Sequence, residues 1–196
     1  MSHRITIHDI MSNDLDDLMQ GEKADLLYVD PPWGSASLSF WRTHNKQKGH
    51  AINWEAFLQR IRFIYERHVT GGLCIETGLK FESGIVSVFG HPQGRYDVVY
   101  KSGGVLRPSL ILIYGALPQK DPTGLNGYDL PYTVISALPH RPRSVLDPCV
   151  GLGTTAKVAK ALGMTCYANE LNPDRAAKTM RILDFQLVGK DVLDRA

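Results

Sequence analysis

Ser144-Val145-Leu146-Asp147-Pro148-Cys149-Val150-Gly151-Leu152-Gly153-Thr154-Thr155 is the stretch that decides the fold. A short apolar run ends in an acid, two glycines follow, and a helix-compatible segment runs from Thr154 to Leu162. Such a strand-to-helix turn lets the backbone pass close to a ligand and aims the unpaired N–H groups of a helix N-terminus at it. Thr165 to Asn169 then reads as the next strand, completing a compact βαβ unit. That strand leads into Glu170, roughly 20 residues beyond the turn, where a carboxylate can accept hydrogen bonds from both hydroxyls of a ribose. No Gly-Lys-Ser/Thr follows the glycines, so the pattern is not a phosphate-binding P-loop. A nucleotide-like ligand fits it; a tight turn beside a surface acid is the plainer alternative.

A second motif lies far upstream. The apolar run Ala24 to Val29 ends in Asp30-Pro31-Pro32-Trp33. Two prolines stiffen this turn. Asp30 and the Pro31 carbonyl are acceptors that can bond the hydrogens of a planar amine, and Trp33 can stack on its ring. Taken alone, the motif is equally a rigid turn that ends a buried strand.

Strand-like and helix-like segments alternate along the rest of the chain, which predicts an α/β layered fold. Arg4 to His8 reads as a strand and Asp14 to Met19 as a helix. Asn53 to His68 is the clearest helix, with Trp54, Phe57, Leu58, Ile61 and Tyr65 three or four apart and Asn53 as its cap. Leu73 to Thr77 is strand-like and Phe81 to Phe89 helix-like. Tyr96 to Lys101 and Ser109 to Tyr114 read as antiparallel neighbours joined by a flexible turn over 102–108. Residues 115–128 are rich in Gly and Pro and read as loop. Asp129 to Leu138 reads as a helix with Pro131 in its first turn, and Pro173 to Leu187 as a closing helix.

The chain has 196 residues, 43% of them hydrophobic and 21% charged, which suits one globular domain with a sheet-centred core. A net charge of +2 argues for no polyanionic partner by itself. The apolar runs are strand-sized, and no signal-like segment follows the N-terminus, so a cytoplasmic protein without a membrane span is expected. Cys74, Cys149 and Cys166 show no metal-ligand spacing, and no metal site is expected.

The two motifs together resemble those of the permuted, beta-class amino-methyltransferases, which use S-adenosylmethionine to methylate the exocyclic amine of adenine or cytosine in DNA. Their glycine motif reads Asp-Pro-Phe-x-Gly-x-Gly-Thr-Thr; here Cys149 replaces the Phe. Cys166-Tyr167-Ala168-Asn169-Glu170-Leu171-Asn172-Pro173 is similar to their cofactor-acid segment. His8-Asp9-Ile10 stands where they carry a Gly-Asp-Cys-like element. The resemblance covers almost the entire chain. It implies a Rossmann-like class I methyltransferase domain over 1–196: a mostly parallel sheet with one antiparallel strand and helices on both faces. A catalytic half would span about 1–115, a short variable loop 117–128, and a cofactor half about 129–196.

By the same resemblance, S-adenosylmethionine would be held by Asp9, Ile10, Asp30, Asp147, Gly151, Gly153, Thr154, Thr155 and Glu170. Asp30, Pro31, Pro32 and Trp33 would carry catalysis on a base flipped out of the duplex. Aspartate in the first motif position favours adenine over cytosine; Trp33, in place of the commoner Tyr, leaves RNA open as a substrate. Cys149, though it follows a proline as do the nucleophiles of cytosine-carbon methyltransferases, sits inside the cofactor turn and reads as packing. Two departures stand out. Leu130-Pro131 occupies the place of the family's Lys-Pro pair, and only the loop from about Leu117 to Tyr128 stands where the family has a target-recognition region.

Nucleic-acid contacts are expected in the loop that springs from the catalytic strand between Asp30 and Glu55, a stretch without acidic residues in which Arg42, His44, Lys46 and Lys48 cluster. The small recognition loop points to weak sequence selectivity, or to selectivity supplied by dimerisation or a partner. Methylation of cytosine amine, RNA or a free nucleotide stands as an alternative. So does a cofactor-binding subunit that needs a catalytic partner.

Overall fold

The residues described by the computed structural model are 3–44 and 53–190. Eight strands form one sheet: β1 (His3–Ile7), β2 (Ala24–Val29), β3 (Val69–Gly78), β4 (Gly94–Ser102), β5 (Val105–Tyr114), β6 (Ser144–Asp147), β7 (Thr165–Asn169) and β8 (Phe185–Lys190). Their spatial order is β4-β5-β3-β2-β6-β7-β1-β8. Only β5 runs against its neighbours, pairing antiparallel with both β3 and β4. The helices are α1 (Asp16–Met19), α2 (Gly34–His44), α3 (Trp54–His68), α4 (Glu82–Phe89), α5 (Asp129–Ser136), α6 (Thr154–Leu162) and α7 (Pro173–Met180).

Both faces of the central strands are buried, which explains their nearly continuous apolar sequences. On β2, Leu26 and Tyr28 join a core with Val145, Val134 and Ala159, under α5 and α6. Leu27 and Val29 point the other way, into a core with Leu73, Ile75, Leu58, Ile61 and Ile85, under α3 and α4. Asn53 caps α3 by accepting from the Ala56 N–H at 2.6 Å. The apolar face read from the sequence is the one α3 buries, through Phe57, Leu58, Ile61, Ile64 and also His68.

Several boundaries differ from expectation. The closing helix stops at Met180, where the Arg181 and Ile182 N–H groups bond back to Lys178 and Thr179 in a tight turn. The chain then extends as β8, parallel to β1. Gly34–His44, expected as loop, is helix α2. The predicted flexible turn at 102–108 is mostly strand. Gly103 and Gly104, at φ +57° and +83°, close the β4–β5 hairpin in two residues, a conformation suited to such connections. The first helix is a single turn, because Leu15 ahead of it is left-handed at φ 61°.

Chain direction around β2 and β6 positions the site. The segments after β2 build the sheet outward to one side, and those after β6 to the other. The crevice at the carboxyl ends of two such diverging strands is where open α/β sheets bind ligands.

Candidate active site

The two motifs, more than a hundred residues apart, end on neighbouring strands. β2 and β6 pair in parallel with Leu27 beside Leu146. Tyr28 and Asp147 therefore share one face, and Asp30, two residues beyond Tyr28, emerges on that side. β3 lies on the other flank of β2 with Val29 beside Ile75, so Glu76 comes next to Asp30. A cavity of about 650 Å³ opens there. It is large enough for a nucleotide-sized ligand, since ligand pockets span about 300–1,000 Å³.

Every described residue expected to hold cofactor or substrate borders this cavity except Gly153, which supports it from behind. Asp147 is buried and accepts from the Cys149 N–H at 3.0 Å, so it shapes the turn from inside. Gly151 and Gly153 adopt φ +57° and +81°. A Cβ on Gly153 would come 2.4 Å from Ile182 and 3.0 Å from Thr179, so the glycine lets the turn lie flat against the segment after α7. Glu170 ties the neighbouring loops together, accepting from the Gly151 N–H and the Asn172 N–H, each at 2.8 Å. Its carboxylate keeps lone pairs for a ligand, because each oxygen can accept twice. Asp9 accepts from the Met11 N–H at 3.1 Å.

On the other side, the Trp33 indole N–H donates to Asp30 at 3.1 Å. The Trp33 ring lies 4.8 Å from that of Tyr100, and it passes so close to Gly78 that a Cβ there would meet it at 3.1 Å. Gly34 ends the motif at φ +77°, where a Cβ would strike the Phe81 ring at 2.3 Å.

Acids dominate the electrostatics. Asp30 is reached by solvent through the cavity mouth, yet protein surrounds it otherwise. That burial pushes its carboxyl up to about 6, while the Trp33 bond pulls it down. Burial and the nearby Asp30 charge push Glu76 up to about 8. Burial pushes Asp147 up to about 7 and raises Glu170 as well. At neutral pH this end of the cavity is thus a set of partly protonated carboxyl groups whose remaining negative charge favours a cationic ligand.

Two participants escaped the sequence reading. Glu76 sits among apolar residues in β3, and Tyr28, wholly buried on β2, donates its hydroxyl to it at 2.7 Å; an acid inside a strand otherwise fit for burial was the available signal. Arg60, on α3, reaches the Ile10 carbonyl and Asp14, which fixes the Asp9–Ile10 loop. Nothing local marks that contact, 50 residues apart in sequence. Of the expected nucleic-acid contacts, Arg42 and His44 fall in the last turn of α2, while Lys46 and Lys48 lie outside the described residues.

No family model and no curated protein sequence matches the chain. Its fold is that of the Rossmann-like methyltransferases. It is similar to M1.HpyAVI in complex with S-adenosylmethionine, with a TM-score of 0.66 at 18% identity over 92% of this chain and 99% of that one. It is also similar to TTHA0409 of Thermus thermophilus, provisionally assigned as a DNA modification methylase (TM-score 0.62, 18% identity, 96% and 100% covered). The PvuII DNA methyltransferase, cytosine-N4-specific, gives a TM-score of 0.64 at 11% identity, with 94% and 87% covered.

Proposed function

We propose that this chain transfers a methyl group from S-adenosylmethionine to the exocyclic amine of adenine in DNA. One observation carries the reading: the glycine turn and Asp30-Pro31-Pro32-Trp33 open into one cavity from adjacent parallel strands. The cofactor fits on local grounds. The turn is flattened by Gly151 and Gly153, Glu170 suits ribose hydroxyls, and the acidic lining suits a sulfonium and an ammonium. Bound there, S-adenosylmethionine supplies an electrophilic methyl group. Asp9, Ile10, Asp147, Thr154 and Thr155 complete the set of residues that would hold it.

The protein's own part is alignment and proton handling. Asp30 and the Pro31 carbonyl accept the amine hydrogens, draw the nitrogen toward tetrahedral geometry and aim its lone pair at the methyl carbon. As the new N–C bond forms, the methyl–sulfur bond would break and leave a neutral thioether, and Asp30 takes the proton that the amine sheds, a task helped by a carboxyl held above its usual range. Pro32 stiffens the turn. Trp33 orients Asp30 and offers its ring to stack on the base. Arg42, His44, Lys46 and Lys48 supply cations for phosphates. The protein acts in the cytoplasm, and its short 117–128 loop leaves sequence selectivity weak or supplied by a second copy or a partner.

Cytosine amine is the second reading, favoured by the likeness to a cytosine-N4-specific enzyme. Incubating the chain with labelled S-adenosylmethionine and unmethylated duplex DNA, followed by nucleoside analysis, tests both. N6-methyladenine is expected. N4-methylcytosine selects the second reading. Absence of label, with cofactor binding intact by calorimetry, overturns both in favour of a different substrate or an obligate catalytic partner.

A further inference from the structure

Beside the cavity, β4 and β5 run on past the end of β3. The last β3–β5 pair joins Gly78 and Ser109; beyond it Val105, Leu106, Arg107 and Pro108 pair only with β4. Four residues of ribbon extend about 14 Å beyond the carboxyl edge of the sheet, at about 3.4 Å each. Its base is fixed: the Val99 N–H donates to the Leu125 carbonyl at 3.0 Å and the Gly124 N–H to the Asp97 carbonyl at 2.9 Å. Val99, Tyr100 and Lys101 line the cavity itself. The outer part is bare. Val105 and Leu106 are 56% and 57% exposed, and Cβ atoms on the tip glycines would meet nothing within 4 Å.

Two apolar side chains held out on a narrow, braced ribbon gain nothing from the fold. The ribbon does match the shape of a nucleic-acid groove, since the major groove, about 12 Å wide, admits a two-stranded β-ribbon. It also carries the right charges: Lys101 is the cross-strand partner of Leu106, and Arg107 the partner of Tyr100. An enzyme that draws a base out of the stack leaves a gap, and apolar side chains are the kind that insert between base steps.

We propose that the β4–β5 ribbon is a wedge that enters duplex DNA beside the target base. Leu106 fills the space the flipped base leaves and Val105, on the opposite face of the ribbon, lies against the adjoining base step, while Lys101 and Arg107 contact the flanking phosphates. This inference rests on the DNA-methylation reading above.

The test compares the unaltered chain with a Val105→Ser/Leu106→Ser variant on two duplexes of one sequence. In one the methylated base keeps its normal partner; in the other it faces an abasic site and is already loosened. Methylation of the paired duplex should fall at least tenfold in the variant and recover on the abasic duplex, with an unchanged melting temperature. Equal rates for the two proteins on the paired duplex would overturn the wedge, as would an equal loss on both duplexes. A loss that accompanies dissociation of a dimer would overturn it in favour of an interface between copies. If the unaltered chain methylates neither duplex, the DNA reading itself has failed, which the other outcomes do not imply.

Discussion

Trp33 donates its indole N–H to the Asp30 carboxylate at 3.1 Å, so the aromatic wall of the motif also orients the acid it follows. The bond favours ionised Asp30, against a burial that favours the neutral form. Replacing Trp33 with Phe keeps a ring and removes the donor. Asp30 should then hold its proton to higher pH, and the acid limb of the pH–rate profile should move upward. Methyl transfer should fall about threefold to tenfold at pH 6 and less at pH 8, because the proposed role of Asp30 needs its ionised form. Equal losses at both pH values would contradict the role assigned to the bond.

Glu76 should leave a mark on stability. Burial and Asp30 raise its carboxyl to about 8 in the folded chain, far above the ordinary value of an unfolded glutamate. Between pH 6 and 8 the unfolded chain has released this proton while the folded one still binds it, so the group's contribution to stability falls as pH rises. Above about 8 both states are ionised and the penalty is constant. Glu76→Gln removes the titration, and thermal melts should show the variant gaining on the unaltered protein from pH 6 to pH 8. A constant difference would place Glu76 in a less buried setting.

Gly34 is bound to the motif by sterics. Alanine there must adopt φ +77° and place its Cβ against the Phe81 ring. The left-handed conformation alone costs about 1–2 kcal/mol, and the clash adds to it. Gly34→Ala should melt several degrees lower and lose most transfer activity. Unchanged melting and activity would show that the turn relaxes freely.

Glu170 joins the Gly151 and Asn172 loops. Glu170→Ala removes both bonds along with the proposed ribose acceptor. Calorimetry should show S-adenosylmethionine affinity falling at least about tenfold, the equivalent of about 1.4 kcal/mol. Undiminished affinity would move the cofactor elsewhere in the cavity.

Much of this arrangement was legible because its chemistry is local. Asp30 to Trp33 and Asp147 to Thr155 each end an apolar strand with turn residues in sequence, and the strands themselves are nearly continuous apolar runs. What escaped depends on register or on weak local signals. Glu76 joins Asp30 only because β3 pairs with β2 one residue in step, and Arg60 reaches Ile10 across the fold. Ser35, Ser37 and Ser39 are indifferent helix formers that made α2 read as loop. The segment after α7 lacks a glycine or proline stop, so the change from helix to β8 has no strong punctuation, and pairing with β1 settles it.

Asp30→Ala separates the two walls of the cavity, the one proposed to hold the methyl donor and the one proposed to hold the amine. S-adenosylmethionine binding by calorimetry and methyl transfer to DNA are measured on the same preparation. Affinity should stay within a few-fold of the unaltered protein and transfer should fall by about a hundredfold or more. Transfer at the normal rate with the carboxylate gone would contradict the role proposed for Asp30.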